Sequence, residues 1–348
     1  MIDVNSHLLL IYTGGTIGMI ENLETGALEP FNFSHLRSNV PEMKRLNFHV
    51  DTYIFEPLID SSEISPNQWR EIVQVVKSHY DDYDGFVILH GTDTMSYTAS
   101  ALSFMFQNLT KPIIFTGSQL PIGKLRTDGK ENLITALEIA ADKDEDGHPI
   151  VPEVCVYFQN SLFRANRTTK INAENFNAFI SANSVCLAEV GINIRYNTAD
   201  ILKPNYDEEV VFYESVDDSI AVLKIFPGIS SEVVSAILNI KNIKGVIIET
   251  YGSGNALSDE WFLSALKGAV ERDVVLVNVT QCLYGEVAMQ RYETGQLLIK
   301  AGVISGHDMT TEAAITKLMY LFGLGKTPKE VRELMQVPLR GEMNTDEE

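Results

Sequence analysis

The sequence predicts an α/β fold: two α/β domains with mostly parallel sheets covered on both faces. Three observations carry this. Short apolar runs recur along the chain, each ending in a stretch rich in Gly, Thr, Asp or Ser. Between them lie longer segments with helical period. The 348 residues leave room for about two domains.

Taken in order, residues 8–11 are an apolar strand that breaks at Gly14 and Gly15 into a tight loop. The polar residues 21–33 form a lid beside that loop or a plain surface hairpin. A second strand is expected at 53–58, leading into Asp60-Ser61-Ser62. Ser65-Pro66 starts a helix, with Ser as cap and Pro in the first turn, and Trp69, Ile72, Val73, Val76 and Tyr80 keep its period. Residues 85–90 are a strand with exit loop Gly91-Thr92-Asp93-Thr94. The next helix carries Tyr97, Ala101, Phe104, Met105 and Asn108 on one face. A strand at 113–115, a helix at 131–140 and a strand at 154–158 follow.

The character changes at 197–218, which holds Pro204 and the acids Asp207, Glu208, Glu209, Glu214, Asp217 and Asp218. The expected division is a catalytic domain over 1–197, a connection over 198–218 and a C-terminal domain over 219–348. In the last part, strands are expected at 220–225, 246–248 and 274–279. Helices are expected at 232–240 and 259–270, with a final one at about 311–322. The acidic tail, 342–348, is expected to be disordered.

A net charge of −20 repels polyphosphate backbones and argues against nucleic acid as a partner. It does not exclude a small zwitterion. The three cysteines, Cys155, Cys186 and Cys282, form no Cys-x-x-Cys pair, which suits a reducing cytoplasm. Residues 1–7 lack a signal-peptide pattern, and no apolar stretch approaches membrane-spanning length, so no membrane partner is expected.

Four polar clusters follow predicted strands: Thr16, Asp60-Ser61-Ser62, Thr92-Asp93, and Arg164 through Lys170. Parallel strands would bring all four to one sheet edge, where open α/β sheets bind ligands. A threonine hydroxyl there can be a nucleophile if a base or a depressed pKa activates it. A dry lysine can supply that base, while an aspartate beside it favours the ammonium form and makes an orienting network. Each residue also has a plainer reading. Thr16 can satisfy a turn, Thr92-Asp93 can cap the next helix, Lys170 can be a solvated surface lysine and His90 a packed core histidine. The glycine spacing fits neither a P-loop nor a dinucleotide loop. No zinc spacing and no Gly-x-Ser-x-Gly elbow occurs, so no metal is expected.

Two stretches, Tyr12-Thr13-Gly14-Gly15-Thr16-Ile17-Gly18-Met19 and His90-Gly91-Thr92-Asp93-Thr94-Met95, resemble the two signatures of bacterial-type L-asparaginases, and the chain is similar to the cytoplasmic type I branch. The resemblance extends through Thr116-Gly117-Ser118-Gln119, Asn166-Arg167-Thr168-Thr169-Lys170, Phe226-Pro227-Gly228-Ile229-Ser230 and Thr280-Gln281-Cys282. It implies a larger flavodoxin-like domain, a smaller Rossmann-like one, and hydrolysis of L-asparagine to L-aspartate and ammonia without a cofactor. Thr16 matches the nucleophile that forms an acyl-enzyme. Thr92, Asp93 and Lys170 match the rest of the catalytic network. Asp60, Ser61 and Ser62, with Gly91, Thr92 and Asp93, match the substrate-binding set. Asn255 matches a residue lent by a neighbouring subunit. The resemblance therefore implies a homo-oligomer, a dimer or a tetramer made of two dimers.

Two departures stand out. Many relatives carry a lid tyrosine in a Gly-Tyr-x-Pro context, where this chain has Gly26-Ala27-Leu28-Glu29-Pro30. Some type I relatives bind a second asparagine through an arginine at the place of Glu249.

Overall fold

Where an apolar run is covered on both faces it becomes an interior strand, and the longest such runs build the centre of the first unit. The computed structural model describes residues 6–21, 28–30 and 40–344. The chain divides into two compact units, Met1–Glu214 and Ser215–Glu348. The first holds an eight-stranded sheet: β1 (His7–Tyr12), β2 (His49–Ile54), β3 (Gly85–Leu89), β4 (Ile113–Thr116), β5 (Val154–Phe158), β6 (Ser161–Arg164), β7 (Ala188–Val190) and β8 (Ile194–Tyr196). Their spatial order is β8-β7-β6-β5-β4-β3-β1-β2. β1 to β5 run parallel, and β6 to β8 are added antiparallel at one edge. Leu10 of β1 sits between Thr52 of β2 and Val87 of β3.

Every residue of β3 and β5 is buried. Helix α1 (Pro66–His79) begins with a full capping box between Ser65 and Gln68 and buries Trp69, Ile72, Val73 and Val76. Helix α2 (Met95–Met105) is buried almost all round. Helix α3 (Gly129–Ala141) lays Leu133, Ala136, Leu137 and Ala140 against Leu8, Leu10, Val87 and Ile114. Each such aliphatic side chain removed from water contributes about 1.5–3 kcal/mol.

The parallel strands stand in the order 5-4-3-1-2, so the winding direction reverses between β1 and β3. This is the flavodoxin-like arrangement, whose ligand crevice opens at the carboxyl ends of the two strands flanking the reversal.

The second unit has β9 (Ile220–Lys224), β10 (Gly245–Thr250), β11 (Val275–Thr280) and β12 (Ile304–Ser305), parallel and in chain order. Its helices are α4 (Ser231–Leu238), α5 (Glu260–Glu271), α6 (Glu293–Lys300), α7 (Thr311–Gly323) and α8 (Pro328–Met335). One face of the sheet, with Val246, Ile248 and Leu276, packs on Val234, Leu238, Phe262 and Leu266. A sheet wound in one direction has no reversal, and hence no crevice of the first unit's kind.

Several elements differ from the sequence reading. The second strand is His49–Ile54 rather than 53–58, because it is an edge strand whose outer face stays wet and only Val50 is buried. α2 stops at Met105, and Phe106–Gln107 pairs with Val211–Phe212, so Asn108 lies beyond the helix at φ 54°. The tail expected to be disordered is anchored through Asn344. Glu342 is fully buried and paired with the equally buried Lys317 at 2.6 Å. Of the expected lid, residues 22–27 and 31–33 lie outside the described residues; Leu28–Pro30 pairs with Met19–Glu21. Among the described residues no helix is long and apolar enough to cross a membrane. No group of three or more His, Cys, Asp or Glu is gathered there to hold a metal ion.

Candidate active site

The crevice between β1 and β3 is assembled from backbone approaches that only glycine permits. Gly14 has φ +142° and Gly15 φ +91°, both disfavoured for L side chains. A Cβ on Gly14 would lie 2.1 Å from the Ile59 carbonyl oxygen, and one on Gly15 would lie 2.6 Å from Gly91 Cα. A Cβ on Gly91 would lie 2.4 Å from Ser61 Oγ. The exits of β1, β2 and β3 are thereby stacked at van der Waals distance. Thr13 donates from its backbone N and from Oγ1 to the Leu89 carbonyl, and Ile59 N donates to the Thr13 carbonyl.

Thr16 opens a single 3-10 turn, Thr16–Gly18, and is half-buried. Beneath that turn lies the ring of Tyr12, whose hydroxyl would be 2.0 Å from a Cβ on Gly18. Burial pushes the Tyr12 phenol far up, so it stays protonated.

At the β2 exit, Asp60 caps the 3-10 turn Ser61–Glu63. Its Oδ1 accepts from Ser62 N and Ser62 Oγ, both at 2.9 Å. The backbone bond first, and then the hydroxyl, hold this exposed carboxyl below its usual range. Ser61 is buried, and its carbonyl accepts from Thr94 Oγ1 at 2.6 Å.

At the β3 exit, Lys170 Nζ donates to Thr92 Oγ1 at 2.8 Å and to Asp93 Oδ1 at 2.6 Å. The lysine side chain is 16% exposed and that of Asp93 69%. The ammonium is thus mostly sheltered while its counter-charge reaches the open crevice. His90, just before this loop, is fully buried. Its Nδ1–H donates to the Gly91 carbonyl at 2.7 Å, and desolvation lowers its pKa to about 4, so the ring is neutral. His90 is thus a packed core histidine that shapes the loop.

Lys170 reaches this edge by a route that parallel strands do not supply. β5 turns into the antiparallel β6, which places Arg164 opposite Cys155 at the far end of the sheet. There Arg164 Nε and Nη2 make a two-pronged bond to the buried Glu153. The chain then runs back beside α2: the Ala165 carbonyl accepts from Ser100 Oγ, and Lys170 arrives at Thr92, ahead of the helix. Lys170 itself sits in a two-strand ribbon opposite Phe179. Thr16, Ser61, Gly91, Thr92, Asp93 and Lys170 are therefore gathered at one edge, and Arg164 is not.

A residue absent from the sequence-derived set also joins. Gln119, in the polar stretch after β4, accepts from Thr92 Oγ1 at 3.3 Å. The signal was available: β4 is a parallel apolar strand like its neighbours, and its exit Ser118-Gln119 is as polar as theirs.

Asn255 belongs to the second unit, in the turn after β10, where Thr294 Oγ1 donates to its Oδ1 at 2.7 Å. Glu249, near the end of β10, is engaged within that unit. Thr311 Oγ1 donates to its Oε1 at 2.8 Å, and Lys224 Nζ lies 3.0 Å from Oε2.

Fold and edge together define an α/β enzyme with a flavodoxin-like first unit that presents hydroxyls, one lysine and one carboxylate at its switch point. The chain belongs to the asparaginase family: residues 7–202 match "Asparaginase, N-terminal" and residues 219–335 match "Glutaminase/Asparaginase C-terminal domain". It is 46% identical over 349 residues to L-asparaginase 1 of Escherichia coli K12, covering 98% of each chain. It is 41% identical to a human 60 kDa lysophospholipase, covering 97% of this chain and 61% of that protein. Among solved structures, L-asparaginase I from Vibrio cholerae superposes with a TM-score of 0.88 at 43% identity, covering 98% of this chain and all of that one.

Proposed function

We propose that this chain is an amidohydrolase that converts L-asparagine to L-aspartate and ammonia, with Thr16 as nucleophile and no cofactor. One observation carries the reading: a lysine bonded at once to a threonine hydroxyl and an aspartate, on the loop that packs against the Thr16 turn. Thr16 Oγ1 attacks the side-chain amide carbon and gives up its proton through the Thr92–Lys170 network. The C–N bond then breaks, and nitrogen leaves as ammonia carrying a proton relayed by that network. Water cleaves the resulting ester, releases L-aspartate and returns the proton to Thr16. Asp93 accepts the substrate's α-ammonium group, and Ser61, with its neighbours Asp60 and Ser62 and with Gly91 beside them, holds the α-carboxylate and α-amino end.

The same reading takes the protein as a homo-oligomer, a dimer or paired dimers, in which Asn255 is lent by a neighbouring subunit. It takes the reducing cytoplasm as its compartment, consistent with three free cysteines. The test is ammonia release from the purified protein. L-Asparagine is expected to be turned over with a specificity constant about 10- to 200-fold above that for L-glutamine, the usual discrimination for one methylene. No release from asparagine overturns the activity, and equal constants overturn the preference.

A further inference from the structure

We propose that Gln119 is a positioning residue that aims the Thr92 hydroxyl at Lys170, and that the buried Asp128 is its anchor. The inference rests on the reading of Thr92 and Lys170 given above.

The argument is one of donor and acceptor counting. A carboxamide has one accepting and one donating end. Gln119 meets two backbone carbonyl oxygens, those of Asn175 at 3.1 Å and Asn172 at 3.4 Å. Carbonyls only accept, so the nitrogen end must face them. The oxygen end is therefore turned to Thr92 Oγ1, and since it also only accepts, Thr92 must donate. With its proton committed to Gln119, the Thr92 hydroxyl has only lone pairs to offer Lys170, whose Nζ donates at 2.8 Å. The polarity of the row Lys170 to Thr92 to Gln119 is thus dictated by two main-chain carbonyls that take no part in chemistry. Those carbonyls lie just beyond Lys170, in a turn fixed by Asn172 Oδ1, which accepts from the backbone N–H groups of Glu174 and Asn175.

The backbone of Gln119 is held as firmly as its side chain. Asp128 is 8% exposed, and its carboxylate accepts from Gln119 N at 3.0 and 3.1 Å and from Leu120 N at 3.1 Å. Asn132 Nδ2 approaches the same carboxylate at 3.4 Å and donates to the Gly117 carbonyl at 2.9 Å. Ser118 Oγ and Thr127 Oγ1 both donate to the Leu120 carbonyl. A buried charge satisfied by main-chain donors is rigid, so the side chain it carries into the crevice is preorganised. Gln119 being neutral and 3.3 Å away, the Thr92 proton can leave it when a proton must move. A carboxylate in its place would grip that proton and repel the two carbonyls.

The test compares Gln119→Met, Thr92→Val and their combination in steady-state assays with L-asparagine. Gln119→Met is expected to lower kcat on the order of 10- to 100-fold, the cost of a misaimed catalytic group, with KM held within about threefold. The double variant is expected to be no slower than Thr92→Val alone, because Gln119 then has no hydroxyl to aim. Gln119→Glu adds a pH signature. Its activity relative to wild type should rise as the pH falls and the new carboxyl, once protonated, again has a donating and an accepting end. Asp128→Asn should lower kcat in the same direction by less. Unchanged kcat in Gln119→Met, a loss confined to KM, or a double variant showing the product of the two single losses overturns the proposal. If Gln119→Met does not fold, a flat pH ratio for Gln119→Glu overturns it instead. If Thr92→Val turns over like wild type, the reading of the site has failed, a different result from failure of the role given to Gln119.

Discussion

The molecule contains two lysine–carboxylate pairs with the same contact distance and opposite meaning. Lys170 meets Asp93 at 2.6 Å, and Lys317 meets Glu342 at 2.6 Å. Lys317 and Glu342 are wholly buried, and the lysine's other protons go to the carbonyls of Met335 and Val337. Glu342 in turn accepts from the backbone N–H groups of Leu339 and Arg340. Nothing there can move without leaving a charge unpaired. Lys170 instead shares its protons with a hydroxyl, which can both give and take, and its carboxylate partner is largely open. The difference teaches how to read an ion pair: closed and saturated with main-chain partners it holds a fold, while half-open and bonded to a hydroxyl it can pass a proton.

Substitutions sharpen this contrast. The largest effect is expected at the nucleophile beside the open pair. Thr16→Ala should lose on the order of 10^3 to 10^6 in turnover with an unchanged melting temperature, and near wild-type ammonia release would remove Thr16 from the mechanism. Next come Lys170→Met and Thr92→Val, each expected to cost on the order of 10^2 to 10^4. Their combined loss should fall short of the product, as for groups acting as a unit; full multiplication would mean two independent roles.

Lys317→Met tests the closed pair. It strands a buried carboxylate and should cost about 3–5 kcal/mol of stability. Chemical denaturation should show that loss, while kcat per folded molecule stays near wild type; a kcat defect without destabilisation would reverse the assignment of roles.

A smaller effect is expected from His90. Its pKa of about 4 in the fold lies below the unfolded value near 6.5, so the unfolded state binds more protons between these values. Stability from this group is complete above pH 6.5 and is lost as the pH falls toward 4, by about 3 kcal/mol. His90→Gln should flatten that part of the stability–pH curve, and an identical slope would acquit His90.

The least effect is expected of added asparagine at the place of Glu249. With Lys224 and Thr311 already on its carboxylate, Glu249 presents like charge to a ligand carboxylate. Initial rates should follow a simple hyperbola. Sigmoidicity abolished by a change at Glu249 would show that an asparagine site persists there.

How much of this was legible in the sequence depended on how completely each element is buried. The runs that became β1, β3 and β5 read directly, because two covered faces leave no polar positions to confuse the pattern. The edge strand β2 was misplaced, since most of its residues answer to water. The crevice residues were legible because parallel exits share an edge. Lys170 was found through a route it does not take: the β5–β6 reversal, which leaves only Gln159 and Asn160 at positive φ as its mark, was not read. α8 went unread although Thr327, Pro328 and Glu330 form a capping box with Pro in the first turn. Glu342 was taken for a solvated tail because charge runs at a chain end usually are. Its partner lies 25 positions back, and only the folded chain brings them together.

The burial of Glu342 also orders events during synthesis. The first unit closes on residues up to Glu214, and its sheet needs nothing made later. The second unit gains Glu342 only after the chain has been extended by roughly 130 residues beyond Glu214, about 6–25 s at ordinary rates of elongation. Over the last 25 of those residues an unpaired ammonium sits in what will be its core, so this unit closes late as a nascent chain while the first has had time to fold. A ribosome stalled shortly before Glu342 would therefore display a finished first unit and an unfinished second one, the state most exposed to chaperones and proteases.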